Sequence, residues 1–530
     1  MYPDGDTDKG MTLLKMTSKE SGKVFGMLNW FAVHGTSMNN TNTLVSGDNK
    51  GFAGYTVEKA MNEKQEGAIS LPGTGPFVGA FASSNLGDVS PNTNGPKCID
   101  TGEDCDGTSS TCNGRCEKCI AFGPGKDMTE SAQIIGQKQA DFAFELMGLP
   151  EGQGADKVSG PIDFRHTYVH FPTVNVTVDG MLTELCSPAM GYAFAAGTTD
   201  GPGMFDFTQG STSENPFWNR VTDFLEAPTE AEKKCQAPKP ILLNTGDMNK
   251  PYAWDPHTIP LQILRIGQLF IVSVPSELTT MSGRRVRAAV EEIVKPLLKA
   301  DQRAYLVISG LTNGYSSYVA TPEEYQAQRY EAASTIYGPN TLAGYLQELT
   351  RIAKDMANGK SPSDTGPPPP DIKKDMIQEM PLAHPDRHPV GIPFGSVLQE
   401  PQPAYSASAA KEEERRVEVV FQAANPRNNQ RLEGTYLAVQ RQHKKNKKEY
   451  VTVLTDGDWS TKFHWLAGLD DKYAFGYSRL SKSTLEWNID AQDPNTPPGI
   501  YRMCYYGDHK DHEGTVKPFT SCSRTFEVTP

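Results

Sequence analysis

Several apolar runs of the chain end abruptly at polar residues that can act as catalysts or ligands. Residues 27–33 stop at His34, and residues 77–82 lead into the loop that contains Ser90. A short apolar run bounded in this way is typical of a buried strand. In enzymes built on sheets, the loop just past a strand presents side chains to a cleft. The pattern therefore marks His34 and Ser90 as candidate functional residues.

Two later strand patterns lead to candidates of the same kind. Residues 261–274 form a predicted hairpin whose second strand leads to Glu277, and residues 305–309 form a strand that leads to Tyr318. Helical periodicity interleaves with these strands at residues 127–147, from Glu277 as far as Pro296, from 321 onward, and at 341–357. This alternation predicts a mixed α/β (α+β) fold for the first part of the chain.

The third of these helices carries another candidate. Thr321, Pro322 and Glu324 occupy the N-cap, N1 and N3 positions of a helix start. The pattern predicts one helix that carries both Tyr325 and Tyr330.

A proline-rich stretch divides the chain. Residues 361–406 contain many prolines, including four in succession at 367–370, and missing amide donors prevent regular structure there. Beyond it the hydrophobic period changes to two, with predicted strands at 417–421, 435–440, 450–454, 485–489 and 500–505. We predict a catalytic domain at 1–360, a linker at 361–406, and an all-β, immunoglobulin-like sandwich at 407–530.

Composition limits the classes of partner. The 530 residues carry a net charge of −13, which opposes binding to phosphate backbones. The dense basic run at residues 444–448 lacks the interleaved aromatic residues that stack on bases. We expect no nucleic-acid partner. No apolar run reaches the length of about 18 residues that a membrane-spanning helix needs.

The cysteine pattern predicts disulfides. Five of the nine cysteines fall between residues 98 and 119, and Cys504 and Cys522 flank a hairpin-like stretch. A zinc knuckle of Cys112, Cys116 and Cys119 is the alternative, although no partnering histidine lies nearby. Disulfides indicate an extracellular or secretory compartment. Acceptor sequences for N-glycosylation at Asn39 and Asn175 agree, yet residues 1–9 show no signal-peptide pattern.

The residues alone leave the chemistry open. The chain has no Gly-x-Ser-x-Gly elbow and no His-Glu-x-x-His pair. A strand-end histidine is more often structural, and Ser90 before Pro91 fits a turn. Glu277 needs a metal, a helix N-terminus or an arginine such as Arg284 or Arg285 to justify its charge near a buried rim. Tyrosines at such positions are ordinarily half-buried packing residues.

Four longer blocks narrow these alternatives. Residues 29–38 (NWFAVHGTSM), 81–92 (FASSNLGDVSPN), 191–201 (GYAFAAGTTDG) and 323–338 (EEYQAQRYEAASTIYG) resemble the signature blocks of neutral ceramidases. The resemblance implies a zinc-dependent amidohydrolase that cleaves ceramide, with a mixed α/β catalytic domain before an immunoglobulin-like domain. It implies that His34, Glu277 and Tyr318 are zinc ligands and that Ser90 is the catalytic serine. It also implies that Tyr330 is a donor near the scissile amide.

The resemblance carries further expectations. It implies peripheral contact with a membrane surface, one Zn²⁺ per chain and a structural Ca²⁺ in the C-terminal domain, for which the acidic loop at residues 490–495 matches too loosely to assign ligands. It also implies the pairs Cys98–Cys112, Cys105–Cys119 and Cys186–Cys235, with Cys116 left over. Attack by Ser90 and attack by a metal-activated water, with Ser90 as a donor, both remain open.

The chain departs from the family pattern at its start. A Thr-His-Thr-His type motif, which supplies a further zinc histidine, and a substrate-positioning arginine lie upstream of the matching region in the family and have no counterpart here. We therefore expect this chain alone to bind zinc poorly and to turn over little ceramide. Two alternatives are a catalytically inactive fragment that acts as a lipid-contacting or interaction module, and a zinc hydrolase of another ester or amide.

Overall fold

The chain forms two compact units. The computed structural model describes residues 5–66, 70–152, 154–250, 252–300, 302–360, 365–371, 385–468, 480–490, 493 and 496–530. Unit 1 takes in residues 1–42, 47–54 and 79–377, and unit 2 takes in residues 43–46, 55–78 and 378–530. Helices and strands mix in unit 1, whereas unit 2 is mainly strand, as the hydrophobic periods predicted.

Unit 1 contains the following elements. Its strands are β1 (Thr12–Thr17), β2 (Val24–Phe31), β3 (Val78–Ser83), β4 (Gly95–Cys98), β5 (Cys119–Phe122), β6 (Ile162–His170), β7 (Asn175–Val178), β8 (Met181–Glu184), β9 (Met190–Gly191), β10 (Ile241–Leu243), β11 (Thr258–Ile266), β12 (Leu269–Ser273), β13 (Glu277–Leu278), β14 (Tyr305–Ser309) and β15 (Tyr318–Val319). Its helices are α1 (Asp48–Glu66), which continues into unit 2, α2 (Met128–Gly148), α3 (Tyr192–Ala195), α4 (Pro216–Glu226), α5 (Glu230–Gln236), α6 (Thr280–Val294), α7 (Pro322–Ala327), α8 (Tyr330–Ala333) and α9 (Thr341–Ala357).

The core of unit 1 lies on a sheet of order β14-β12-β11-β6. The predicted hairpin is confirmed, because β11 and β12 pair antiparallel from Ile266 opposite Leu269, and β12 then runs parallel to β14. Every residue of β12 is buried, as expected for a strand covered on both faces. One face packs on α6 and α9, and the other face packs on residues of β1 and β2 around Trp30.

The strands predicted to carry candidate residues are present. The apolar runs at 27–33 and 77–82 correspond to β2 and β3, which are neighbours in the sheet β1-β2-β3, and residues 305–309 form β14. Helix α9 spans the predicted residues Thr341–Ala357.

The prediction of one helix from residue 321 through Tyr330 is wrong. Helix α7 has the predicted capping box at Thr321 and Glu324, but Gln328 adopts the left-handed conformation with φ of 46°. The buried Gln328 side chain donates from Nε2 to the carbonyl of Tyr325 at 2.6 Å. This contact ends the last turn, so that Tyr330 begins a separate helix, α8.

Among its described residues, unit 2 contains two sheets, a short helix, α10 (Glu412–Arg415), and the continuation of α1. Its strands are β16 (Val397–Gln399), β17 (Ala404–Ser406), β18 (Arg416–Gln422), β19 (Leu437–Gln442), β20 (Tyr450–Thr455), β21 (Thr461–Ala467), β22 (Ser481–Asn488), β23 (Gly499–Lys510), β24 (Val516–Cys522) and β25 (Phe526–Thr529). The sheet β16-β18-β22-β21 and the sheet β17-β25-β23-β19-β20, in which β24 also pairs with β23, share one core around Trp487. The immunoglobulin-like topology stays a prediction.

The end of the predicted linker differs from expectation. Strands β16 and β17 lie within residues 361–406 and pair with β18 and β25. They tolerate neighbouring prolines because each is at the edge of its sheet. Residues 361–364 and 372–384 of that stretch lie outside the described residues. In the predicted calcium loop, Asp490 and Asp493 are described, and residues 491–492 and 494–495 are not.

Four disulfides link the chain, and they confirm the predicted pairs. Cys98–Cys112, Cys105–Cys119 and Cys186–Cys235 lie in unit 1, and Cys504–Cys522 joins β23 to β24. Because Cys112 and Cys119 are oxidised, the alternative of a zinc knuckle is wrong. Cys116 is a free thiol, and it is buried. Among the residues that the structure describes, no helix combines the length and the apolar character needed to cross a bilayer.

Candidate active site

His34 lies just beyond β2, and hydrogen bonds hold its backbone on both its N–H and its carbonyl side. Its backbone N–H donates to the carbonyl of Val89 at 3.0 Å, and its carbonyl accepts from Nδ2 of Asn49 at 2.8 Å. Its Nδ1 lies 3.2 Å from the same Val89 carbonyl. A carbonyl can only accept, so Nδ1 carries a proton and the ring directs Nε2 toward Glu277.

Glu277 and Tyr318 face each other across a two-stranded parallel pair. Strands β13 and β15 set the two residues in direct register, and the backbone N–H of Glu277 donates to the carbonyl of Ser317 at 3.0 Å. Ser317 has a positive φ of 61°. Such a conformation costs free energy in a residue with a side chain and is often found at functional sites. The turn thereby aims both side chains to one side.

Buried hydroxyls support this pair from behind. Oγ of Ser276 and Oγ of Ser316 lie 2.6 Å apart, and the hydroxyl of Tyr345 lies 3.0 Å from Ser316. All three residues are almost completely buried. Ser276 directly precedes Glu277, and Ser316 lies two residues before Tyr318. The cluster therefore fixes the backbone that carries both candidate ligands.

The three predicted ligands converge. Nε2 of His34 lies 2.7 Å from Oε2 of Glu277, and the Tyr318 hydroxyl lies 3.4 Å from the same nitrogen. The other oxygen of Glu277 accepts from the hydroxyl of Tyr315 at 2.8 Å. Arg285, considered as a neutralising partner for Glu277, instead forms an ion pair with Glu323.

Ser90 lies in a neighbouring cluster centred on Asp200. Oδ1 of Asp200 accepts from Oγ of Ser90 at 2.8 Å and from Nδ2 of Asn92 at 2.9 Å, and Oδ2 accepts from Oγ1 of Thr36 at 2.8 Å. The backbone N–H of Asn92 donates to Oγ of Ser90 at 3.0 Å. The serine hydroxyl is therefore held on two sides while Ser90 itself stays exposed.

The loop that carries Ser90 is pressed against the strand that carries Glu277. The N–H of Gly87 donates to the carbonyl of Leu278 at 2.9 Å. A Cβ at position 87 would lie 2.9 Å from the Glu277 carbonyl oxygen, which only glycine avoids. Asp88 accepts from the N–H of Thr280 at 2.7 Å at the start of α6.

Tyr330 lies beside the convergence point. Its ring meets that of Tyr318 edge-on at a centroid distance of 5.4 Å and stacks on Phe194 at 6.0 Å. Burial, followed by the charge of Glu277, raises the pKa of Tyr330 to about 12. The phenol is therefore a proton-bearing donor at neutral pH.

The site binds protons tightly. Burial would lower the pKa of His34, but the hydrogen bond and the charge of Glu277 outweigh it, with a contribution from Asp200, and the pKa is raised. Burial and the charge of Glu277 raise the pKa values of Tyr315 and Tyr318 far above the usual range. Both tyrosines therefore keep their protons at neutral pH.

Two family models together match almost the whole chain. A family model described as "Neutral/alkaline non-lysosomal ceramidase, N-terminal" matches residues 1–347, and its C-terminal counterpart matches residues 349–528. The chain belongs to this ceramidase family. It is accordingly a ceramidase-type hydrolase of sphingolipid metabolism.

Relatives match the ceramidase chain over nearly its whole length. It is 42% identical to the neutral ceramidase of Drosophila melanogaster, an alignment that covers 99% of this chain and 72% of the relative. It is 44% identical to neutral ceramidase B of Dictyostelium discoideum, over 100% and 70%. The crystal structure of neutral ceramidase from Pseudomonas aeruginosa superposes with a TM-score of 0.75 at 31% identity, over 99% of this chain and 72% of that chain. A ceramidase structure "complexed with C2" gives 0.78 at 33% identity, with the same coverage.

The converging residues fit a metal ion in this ceramidase. A proton on Nδ1 of His34 leaves Nε2 as the ligand atom, and a hydrogen bond from Nδ1 to a carbonyl is typical of metal-bound histidine. Glu277 is 7% exposed, so its charge requires a positive partner. Nitrogen and oxygen donors of this kind suit zinc. His34, Glu277 and Tyr318 would hold the ion, a role that stays a prediction.

Sequence reasoning missed Asp200 and Tyr315. Asp200 lies 110 positions from Ser90, so no local spacing connects them, although it falls in the block 191–201 that resembles the ceramidase signature. Tyr315 precedes Tyr318 in a turn and carried no signal of its own. The match to curated ceramidases over 99% of the chain favours the enzyme over the non-catalytic alternative.

Proposed function

We propose that this chain is a zinc-dependent amidohydrolase that cleaves the N-acyl bond of ceramide to give sphingosine and a free fatty acid. The observation that carries the proposal is the convergence of His34, Glu277 and Tyr318 on one point, beside a serine held by Asp200. Zinc, when bound, would supply the Lewis acid that polarises the amide carbonyl.

The residues of the chain divide the remaining chemistry. Ser90 is the proposed nucleophile: as Oγ attacks the carbonyl carbon, its proton passes to Oδ1 of Asp200, which already accepts the hydrogen bond. That proton then passes to the amide nitrogen as the C–N bond breaks, and sphingosine leaves as the amine. A water molecule next attacks the Ser90 ester, which releases the fatty acid and returns a proton to Oγ. Thr36 and Asn92 hold the carboxylate so that it faces Ser90. Tyr330, protonated at neutral pH, donates a hydrogen bond to the developing oxyanion, a contribution worth about 3 kcal/mol at comparable sites.

Zinc content and turnover test this proposal in matched variants. We expect Glu277→Gln to hold less zinc than the wild type, measured by mass spectrometry of the metal, and to turn over less ceramide, measured as released sphingosine. Glu291→Gln on the exposed side of α6 is the control and should retain both. Equal zinc content and turnover in Glu277→Gln and the control would contradict the assignment of the site.

We further propose an oxidising, extracellular or lumenal compartment. Four disulfides form, which glutathione opposes in the cytosol. The acceptor Asn175 is exposed at the start of β7. Digestion with a glycosidase that shifts the mass of the secreted wild type by more than that of Asn175→Gln would support glycosylation there, and equal shifts would oppose it.

A further inference from the structure

Helix α4 presents an apolar face to solvent. No residue of α4 is buried, and Phe217 and Phe224 are 64% and 89% exposed. With Val221 and Leu225, which are also exposed, they recur at the i, i+4, i+7 and i+8 spacing of one helix face. A contiguous apolar face of this kind marks an interaction surface, whereas single exposed apolar residues do not.

The preceding loop extends this face. Met204 and Phe205 are exposed, and the Phe205 ring lies 5.1 Å from that of Trp218 on α4. Phe205 has a positive φ of 67°, a conformation that is unfavourable for a bulky residue. Backbone strain that holds a largely exposed aromatic ring at the surface beside Trp218 indicates a function for that ring.

The face is held rigidly by the other side of the helix. Trp218 packs on Phe207 at a centroid distance of 4.8 Å, and its Nε1 donates to Asp206 at 2.7 Å. The hydroxyl of Tyr192 donates to the carbonyl of Asn215, the N-cap of α4, at 3.2 Å. The exposed residues therefore project from a fixed helix.

The segment that carries this face also reaches the candidate active site. Tyr192 holds the start of α4, and Phe194 on the same short helix, α3, stacks on Tyr330. Asp200, which holds Ser90, lies between α3 and α4 in sequence. One segment thus carries both the exposed apolar face and part of the wall around the reacting groups.

Charge decides which lipid surface this face suits. Helix α4 carries Arg220, Asp223 and Glu226, and the whole chain has a net charge of −13. An anionic bilayer would repel such a chain, because surface binding to acidic lipids depends on clustered lysine and arginine. Aromatic and aliphatic side chains that enter the interface need no such attraction.

We propose that the outer face of α4, together with Met204 and Phe205, docks on a zwitterionic lipid bilayer and sets the active site against the membrane that holds the substrate. This inference rests on the proposed function, since ceramide is a two-chain lipid that resides in bilayers. Docking lets the lipid reach the site without crossing water.

Binding to phosphatidylcholine vesicles tests docking directly. We expect the Phe217→Ser, Phe224→Ser double variant to lose at least about tenfold in the vesicle partition coefficient, because two apolar rings no longer enter the interface. The Phe142→Ser, Phe164→Ser variant, which changes two exposed phenylalanines elsewhere in unit 1, should bind as the wild type does. Binding of the wild type should be insensitive to salt.

Turnover separates this inference from the proposed function. The ratio of turnover on vesicle-borne ceramide to turnover on dispersed short-chain ceramide should fall in the double variant, with an unchanged melting temperature. A wild type without turnover but with the expected vesicle binding would contradict only the proposed function. Equal partition of wild type and double variant, binding that requires phosphatidylserine, or a dimer in sedimentation that the double variant abolishes would overturn docking.

Discussion

Removal of the Asp200 carboxylate should uncouple Ser90 from catalysis while the protein stays folded. The carboxylate accepts three hydrogen bonds, of 2.8, 2.9 and 2.8 Å. Hydrogen bonds to charged groups contribute about 1.5–3 kcal/mol each, but Ser90 is exposed and regains water. We therefore expect Asp200→Ala to lower the free energy of unfolding by about 1–3 kcal/mol.

The effect on turnover should be larger and should fall on kcat. Loss of a positioned proton acceptor typically costs about 10²–10⁴-fold, equivalent to about 3–5 kcal/mol of transition-state stabilisation. KM should change little, because the contacts that Asp200 makes are to protein side chains.

Asp200→Asn distinguishes positioning from proton transfer. Its Oδ1 can still accept from Ser90 and Asn92, and its Nδ2 can donate to Thr36, so geometry is retained without basicity. An Asn variant as inactive as the Ala variant indicates proton acceptance, and substantial recovery indicates positioning alone. Asp141→Asn, exposed on α2, is the control. A kcat within about threefold of wild type in Asp200→Ala would refute the reasoning, since a positioned acceptor is worth far more.

Three further outcomes follow from contacts elsewhere in unit 1. Gly87→Ala should reduce stability by about 1–3 kcal/mol in urea unfolding, because its Cβ would press on Leu278; an unchanged midpoint would count against the close approach. Burial lowers the pKa of Lys239 to about 7, so the unfolded chain binds more protons than the folded chain between pH 7 and about 10, and stability rises with pH in that window. Lys239→Met should flatten this rise when urea midpoints are plotted against pH. A slope equal to that of the wild type would contradict Lys239 as its origin. Replacing Cys105 and Cys119 by serine should cost about 3 kcal/mol in the loop-entropy model, measured by thermal unfolding, and an unchanged melting temperature would show that the loop is otherwise fixed.

Much of the strand framework could be predicted from sequence because apolar runs record burial directly. The runs before His34 and Ser90, and the hairpin before Glu277, appear as β2, β3 and the pair β11 and β12. Their convergence could not be predicted in the same way. It depends on a parallel pair of only two residues per strand, β13 and β15, which carries no periodicity.

Two other features were beyond local pattern for different reasons. The break before Tyr330 depends on Gln328 in a left-handed conformation, which favours glycine or asparagine. Here a side-chain bond to the carbonyl of Tyr325 and a bond from the N–H of Gly210 to the Gln328 carbonyl, at 2.9 Å, accompany it. Asn215 and Pro216 form a recognisable N-cap and first position of helix α4. The apolar stripe of the helix, however, does not indicate from sequence whether that stripe faces a core or solvent.

The free thiol of Cys116 has a consequence for how the disulfide cluster is reached. Burial raises the pKa of Cys116, and exchange requires a thiolate that can reach a disulfide sulfur. In the folded chain the correct pairs are therefore kinetically locked. Before folding, the same thiol competes for partners with the four cysteines that form the native pairs, Cys98, Cys105, Cys112 and Cys119. The order in which the disulfides of this segment form therefore determines the yield of correctly paired protein. Oxidation of the denatured chain should trap mispaired species that a disulfide isomerase resolves.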